Sequence, residues 1–311
     1  MPSLLNGQRS RTPSTPLTHA QADNGGSGTR ARRSIAVNLF LDAKDAKVKS
    51  GDLSRASYNQ YRLVCKWLKE NLGANRLIDT IGPQDFIKLR SKFPSEWSTT
   101  SVTNQIVVSR TIFKWCFDNE LIEKPIRYGD DFSKPSQRRR NLERAAKHKK
   151  EFTPAEVWRL HKYADDTMKA WILLGINCGY GNSDLSRLKV SGVSGVWLSV
   201  PRGKTGLDRK AWLWPETRDA IKAVLKGHDG GELLFRSETG QTLVSDDGSR
   251  DVVTRRFGRL KKDCGVDRRG VGFYSLRHVF ETVAGETKDR IAVDHVMGHT
   301  DVTVHGPVQW F

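Results

Sequence analysis

Two short signals near the end of the chain carry side chains suited to holding an oxyanion. Gly272-Phe273-Tyr274-Ser275-Leu276-Arg277-His278 is followed, twenty-two positions after Arg277, by the histidine of Met297-Gly298-His299. The planar guanidinium fork of an arginine suits two-point contact with a phosphate. An imidazole holds or moves protons near neutral pH. The Tyr274 hydroxyl can hydrogen-bond a phosphate but is a poor proton shuttle at that pH. Cys65, Cys116, Cys178 and Cys264 are widely separated and lack Cys-x-x-Cys or Cys/His metal spacing. They read as reduced, buried thiols of a cytoplasmic protein, and no metal or cofactor is expected.

Helices must position these groups. Between the two signals, Val279, Phe280, Val283 and Ala284, then Ile291, Val293, Val296 and Met297, repeat with helical spacing. Upstream, Thr153-Pro154-Ala155-Glu156 is a capping box that opens a helix continued by Trp158, Leu160 and Tyr163. Residues 171–178 read as a buried helix. Gly179-Tyr180-Gly181-Asn182-Ser183-Asp184-Leu185 turns into another, with Asn182 or Ser183 as cap. Residues 196–200 and 211–214 read as strands around a hairpin tip that holds Arg202 and Lys204, and 233–236 as a short strand. Residues 215–225 and 252–264 are helical, the latter basic through Arg255, Arg256, Arg259, Lys261 and Lys262.

The first half differs in composition. Residues 1–33 hold too little apolar surface to offset ordering entropy and are expected to be a disordered tail. Residues 34–122 predict four helices in a small bundle, with apolar faces starting at 35–41, through Tyr58, Tyr61, Leu63, Val64, Trp67 and Leu68, near 84–92, and across 99–119. Residues 123–150 predict a linker, with Pro125 and Pro135 and a basic run that includes Arg138, Arg139, Arg140, Lys147, Lys149 and Lys150. Such a run suits a strap along a phosphate backbone, or a nuclear-targeting signal. Residues 151–311 form the second domain. The predicted fold class is mainly α with a small β-sheet, α+β.

The formal net charge of +17 and pI near 9.9 favour a polyanionic partner, nucleic acid before any other. No apolar run is long enough to span a membrane, and the N-terminus lacks a signal-peptide apolar core. The expected location is cytoplasmic and DNA-associated.

Leu-Arg-His followed by Gly-His at this interval resembles the C-terminal signature of the tyrosine recombinases, the phage-integrase family. The likeness covers about residues 150–300, and residues 34–122 are similar in size and helicity to that family's helical core-binding domain. The resemblance implies a clamp around double-stranded DNA, assembly as a dimer or tetramer on it, and metal-free breaking and rejoining through a 3′-phosphotyrosyl bond. It implies that Arg277 grips the scissile phosphate, that Lys204 protonates the leaving oxygen, and that His299 hydrogen-bonds the phosphate. Arg138, Arg139, Arg140, Lys147, Lys149, Lys150, Arg202, Arg255 and Arg256 would contact DNA. His278 would be a packed structural histidine.

The sequence also departs from that pattern. Gly181 stands where the family has its first arginine, beside Asn182, which can donate only a neutral hydrogen bond; Arg187 lies further along the same helix. Tyr274 takes the place of the first histidine. The family's nucleophilic tyrosine follows the Gly-His by about nine residues, where this chain has Val308, and no tyrosine follows Tyr274. Gly306-Pro307 would break a helix there. The expectation is a DNA-binding integrase-type protein, with an impaired, non-cleaving relative as the alternative and a truncated or frame-shifted C-terminus as one origin.

Overall fold

A computed structural model describes residues 33–73, 76–146, 150–203 and 206–299, with side chains from residue 36 onwards. Residues 1–32 of the expected tail and positions Lys147, Lys149, Lys204 and Val308 lie outside the described residues, while Arg33, the last residue assigned to that tail, opens the first helix.

Helices α1 (Arg33–Lys49), α2 (Arg55–Leu72), α3 (Pro83–Ser91) and α4 (Thr99–Asp118) appear where the apolar periodicity predicts them. Ser54 and Ser98 cap α2 and α4 by accepting from the amides of Ser57 and Ser101. The four helices enclose a core of Ala36, Phe40, Val64, Leu68, Phe86, Ile106 and Phe113. Leu63 departs from the expected apolar face and is 61% exposed.

The 123–150 stretch is more than a linker. Phe132 is fully buried in this first core, where its ring lies 4.9 Å from that of Phe86, and Ile126 and Tyr128 pack against the same cluster. Arg110 donates to the Phe132 carbonyl and lies over the Tyr128 ring. The basic run that follows is a helix, α5 (Gln137–Ala146), with no buried residue. Glu143 ties it to α4 by accepting from the Thr99 amide at 2.6 Å. Proline and charge masked these few aromatic anchors in the sequence.

A second core is built by α6 (Pro154–Tyr163), α7 (Asp166–Cys178), α8 (Asn182–Arg187), α9 (Pro215–Lys226), α10 (Val252–Asp263), α11 (Ser275–Gly285) and α12 (Arg290–Met297). The predicted capping box is present: Thr153 Oγ1 accepts from the Glu156 amide, and Glu156 returns a carboxylate to the Thr153 amide at 2.7 Å. A small antiparallel sheet has the order β1 (Val193–Ser194), β2 (Trp197–Ser199), β3 (Lys210–Trp212), with Leu198 opposite Ala211. Its first strand was not visible in the sequence, because two residues carry no periodicity. The strand expected at 233–236 does not form; Leu233 makes only an isolated bridge to Lys189. The chain is therefore mainly α with one small sheet, the α+β class expected.

All four cysteines are buried and free, and burial pushes the Cys65 and Cys116 thiols up to about 12. Among the described residues no helix is long and apolar enough to cross a membrane.

Candidate phosphate-binding cleft

Helix α7 ends on Gly179, whose left-handed conformation (φ 63°, ψ 30°) reverses the chain. A Cβ there would also lie 2.9 Å from the Phe280 ring. Glycine thus lets the α7–α8 turn close onto α11 and aims the Gly179 carbonyl at Arg277. Helix α12 ends in the same way on Gly298 (φ 62°), which brings His299 back over its own last turn, its amide 2.8 Å from the Asp294 carbonyl.

Arg277 sits in the first turn of α11 and is only 2% exposed. One terminal nitrogen donates to the Gly179 carbonyl. The other donates to the Met297 carbonyl at 2.9 Å and lies 3.2 Å from His299 Nε2. An arginine can only donate, so His299 Nε2 accepts. Nδ1 then carries the proton and donates to the Asp294 carboxylate at 3.1 Å. Arg290 holds the other Asp294 oxygen at 2.8 Å. Burial pushes the Arg277 guanidinium below its ordinary range, opposed by the nearby Asp184 carboxylate.

Asp184 is the counter-charge of the cleft. One oxygen accepts from Arg209 at 2.6 Å. The other accepts from the Gly181 amide at 2.8 Å and lies 3.9 Å from Arg277. Arg209 is itself buried, donates to the Val200 carbonyl, and lies 4.1 Å over the Tyr180 ring. Sequence reasoning did not assign Arg209 or Asp294 to the site, because a tertiary ion pair leaves no periodicity. Asn177 is a further unassigned support. Its amide donates to the Trp212 carbonyl and its oxygen accepts from Trp214 and Thr217, which pins β3 to α7.

Arg277, Asp184 and Arg209 line a cleft of about 590 Å³ with Gly181, Asn182, Arg187, Arg202, Gly203 and Tyr274. Arg202 donates to the Gly298 carbonyl at 2.9 Å and so joins the hairpin to the His299 turn. Tyr274 is 50% exposed, with its ring 5.3 Å from that of His278. The same ring covers Gly181: a Cβ at position 181 would lie 3.1 and 3.2 Å from two of its carbons. The tyrosine therefore occupies the space into which a side chain at 181 would start.

Two expected positions, Asn182 and Arg256, are placed differently. Asn182 has no hydrogen to offer a ligand, because its amide donates to Asp251 at 2.8 Å and to Thr254 at 2.9 Å. Arg256 is engaged by Asp165 at 2.7 Å and stacks on Trp171, so it braces α10 against α7. His278 is half-buried, 3.7 Å from Glu281. Arg138, Arg139, Lys150 and Arg255 are exposed, and Arg140 is half-buried with Gln137 as partner.

No family model and no curated protein matches the chain. Solved structures do. A Tn1549 transposon integrase in complex with circular intermediate DNA superposes with a TM-score of 0.67 at 15% identity, over 89% of this chain and 96% of that one. A lambda integrase dimer bound to a COC′ core site gives 0.63 at 17% identity, over 88% and 98%. A lambda integrase tetramer bound to a Holliday junction gives 0.63 at 16%, over 88% and 80%. The chain has the tyrosine-recombinase fold across both of its cores, in keeping with the resemblance carried by the Leu-Arg-His and Gly-His signals.

Proposed function

We propose that this chain is an integrase-type DNA-binding protein whose cleft holds a backbone phosphate of double-stranded DNA. The observation that carries this reading is Arg277. Its guanidinium is buried at the base of a cleft, fixed by two carbonyls and a histidine, where Arg202 and Arg187 add two further charges. Ordering an arginine fork before the ligand arrives lowers the entropy lost on binding. Net charge of +17 attracts the duplex as a whole. Arg138, Arg139, Arg140 and Lys150 on and beyond α5, with Lys147 and Lys149, form the strap along it, and Arg255 on α10 adds a further contact. Assembly as dimers or tetramers on DNA, as in the similar lambda integrase structures, belongs to the same reading.

We infer further that the cleft binds without cutting. Metal-free strand cleavage needs donors on both non-bridging phosphate oxygens, a proton donor to the leaving oxygen and an in-line nucleophile. Arg277 fits the first need, with His299 and Asp294 holding it in place, and Lys204 is the residue for the second. The start of α8 has glycine at 181 with a tyrosine ring over it, and the amide of Asn182 is taken. Losing one such donor costs on the order of 100–1000-fold in rate. Tyr274 itself starts α11 beside Arg277, which is poor geometry for in-line attack.

A nicked suicide duplex tests both parts. Retention of the duplex without a covalent protein–DNA adduct is expected; an adduct would overturn the non-cleaving reading. Arg277→Ala weakens retention, and an Arg277→Ala variant that binds as well as the parent would overturn the phosphate site. Any adduct formed by the parent chain should vanish with Lys204→Ala.

A further inference from the structure

The wall of the cleft that lacks a charge at position 181 has another cation within it. Arg187 ends α8, the helix that Gly181 begins, and its side chain lines the same cleft as Arg277. Its guanidinium passes directly over Gly203: a Cβ at 203 would lie 2.2 Å from Arg187 Nη1. Gly203 adjoins Arg202, which holds the Gly298–His299 turn from the far side of the hairpin. Arg187 thus reaches the hairpin that borders the same cleft.

Availability separates Arg187 from the other arginines of the cleft. Arg209 is locked, buried on Asp184 and Tyr180. Arg202 is engaged by the Gly298 carbonyl. Among the described residues, Arg187 pairs only with Asp246, at 3.7 Å, and the two side chains are 56% and 93% exposed. Exposed pairs of that kind are weak and readily exchanged for a better anion. A phosphate, with more charge and a geometry matched to the guanidinium fork, is such an anion.

We propose that Arg187 is the second phosphate-gripping arginine of this cleft, supplying from the end of α8 the charge that Gly181 lacks. The proposal rests on the reading of the cleft as a DNA-phosphate site. It gives Gly203 a definite role, since only a residue without a side chain lets the guanidinium cross the hairpin at this distance.

Binding to a fluorescent mixed-sequence duplex, measured across a salt series, tests it. Removing one cation that neutralises a phosphate lowers the slope of log affinity against log salt by about 0.9. Arg187→Ala is expected to lower the slope by that amount and the affinity by about tenfold. Gly203→Ala, which leaves the net charge unchanged and displaces only the end of a flexible side chain, is expected to weaken binding several-fold. The Arg187→Ala/Gly203→Ala double variant should bind no worse than Arg187→Ala alone. Lys222→Ala on α9, outside the cleft lining, removes the same charge and serves as the control. If Arg187→Ala matches Lys222→Ala while Arg277→Ala still weakens binding, Arg187 is not a phosphate ligand and the cleft reading stands. If Arg277→Ala also matches Lys222→Ala, the cleft reading fails and this proposal with it.

Discussion

The two walls of the cleft are built on opposite plans. On one, Arg277 is held by the carbonyls of Gly179 and Met297 and by His299, which Asp294 anchors in turn. On the other, Gly181 presents no side chain, a half-exposed tyrosine lies over it, and Arg187 crosses the surface with one loose ion pair. Asp184 lies between them and neutralises buried arginines. The difference teaches that a phosphate grip and a cleavage site are separable. A grip needs one rigid fork and local positive charge. Cleavage needs donors held on both faces at once.

The comparison predicts a graded set of effects. Asp184→Ala should be the most damaging, because it strands the buried Arg209 without its counter-charge. A loss of about 3–5 kcal/mol is expected from urea unfolding, and a loss under about 1 kcal/mol would show that Asp184 is not the hub. Arg277→Ala should cost about 2–3 kcal/mol, since two buried carbonyls lose a charged donor. Arg277→Lys should not restore it, because an ammonium cannot span the same acceptors. His299→Ala should cost about 1 kcal/mol, as Asp294 retains Arg290.

Glu156, outside the cleft, calibrates these values. Its carboxyl is pulled from its ordinary 4.5 to about 2, first by the Arg268 hydrogen bond and then by the Thr153 cap. Because the folded-state value is depressed, this stabilisation is complete above about pH 4.5 and is lost as pH falls towards 2. Glu156→Gln should therefore lower stability by about 1 kcal/mol at neutral pH, with the difference closing through that acid window in pH-dependent melts. The smallest effect belongs to the open wall. Tyr274→Ala should change stability by less than about 0.5 kcal/mol. Gly181→Arg should be tolerated better in the Tyr274→Ala background than alone, since the ring then leaves the space; equal effects in both would break the steric link between the two positions.

Much of the architecture was readable from residue pattern. The α2 and α4 faces, the Thr153–Glu156 box, the β2–β3 hairpin and the Leu-Arg-His signal all rest on local spacing, and local spacing survives in a sequence. The exceptions share one property. Phe132 joins the first core from within a basic, proline-containing stretch. Asn182 spends its amide on Asp251 and Thr254, sixty-nine and seventy-two positions away. Arg256 turns from the surface to Asp165 and Trp171. Trp158, a predicted helix face residue, is 69% exposed. The first three outcomes depend on partners distant in the chain.

Composition and spacing alone determined that this is a basic, mainly helical protein, that Arg277 and His299 stand twenty-two positions apart, and that position 181 is glycine. Tertiary structure alone decided which arginines are structural and which are available. Arg209 and Arg187 carry the same charge. Their roles separate only by burial and by the acid each meets, because an arginine paired with a buried carboxylate has little left to offer a ligand, whereas one beside an exposed carboxylate exchanges it readily.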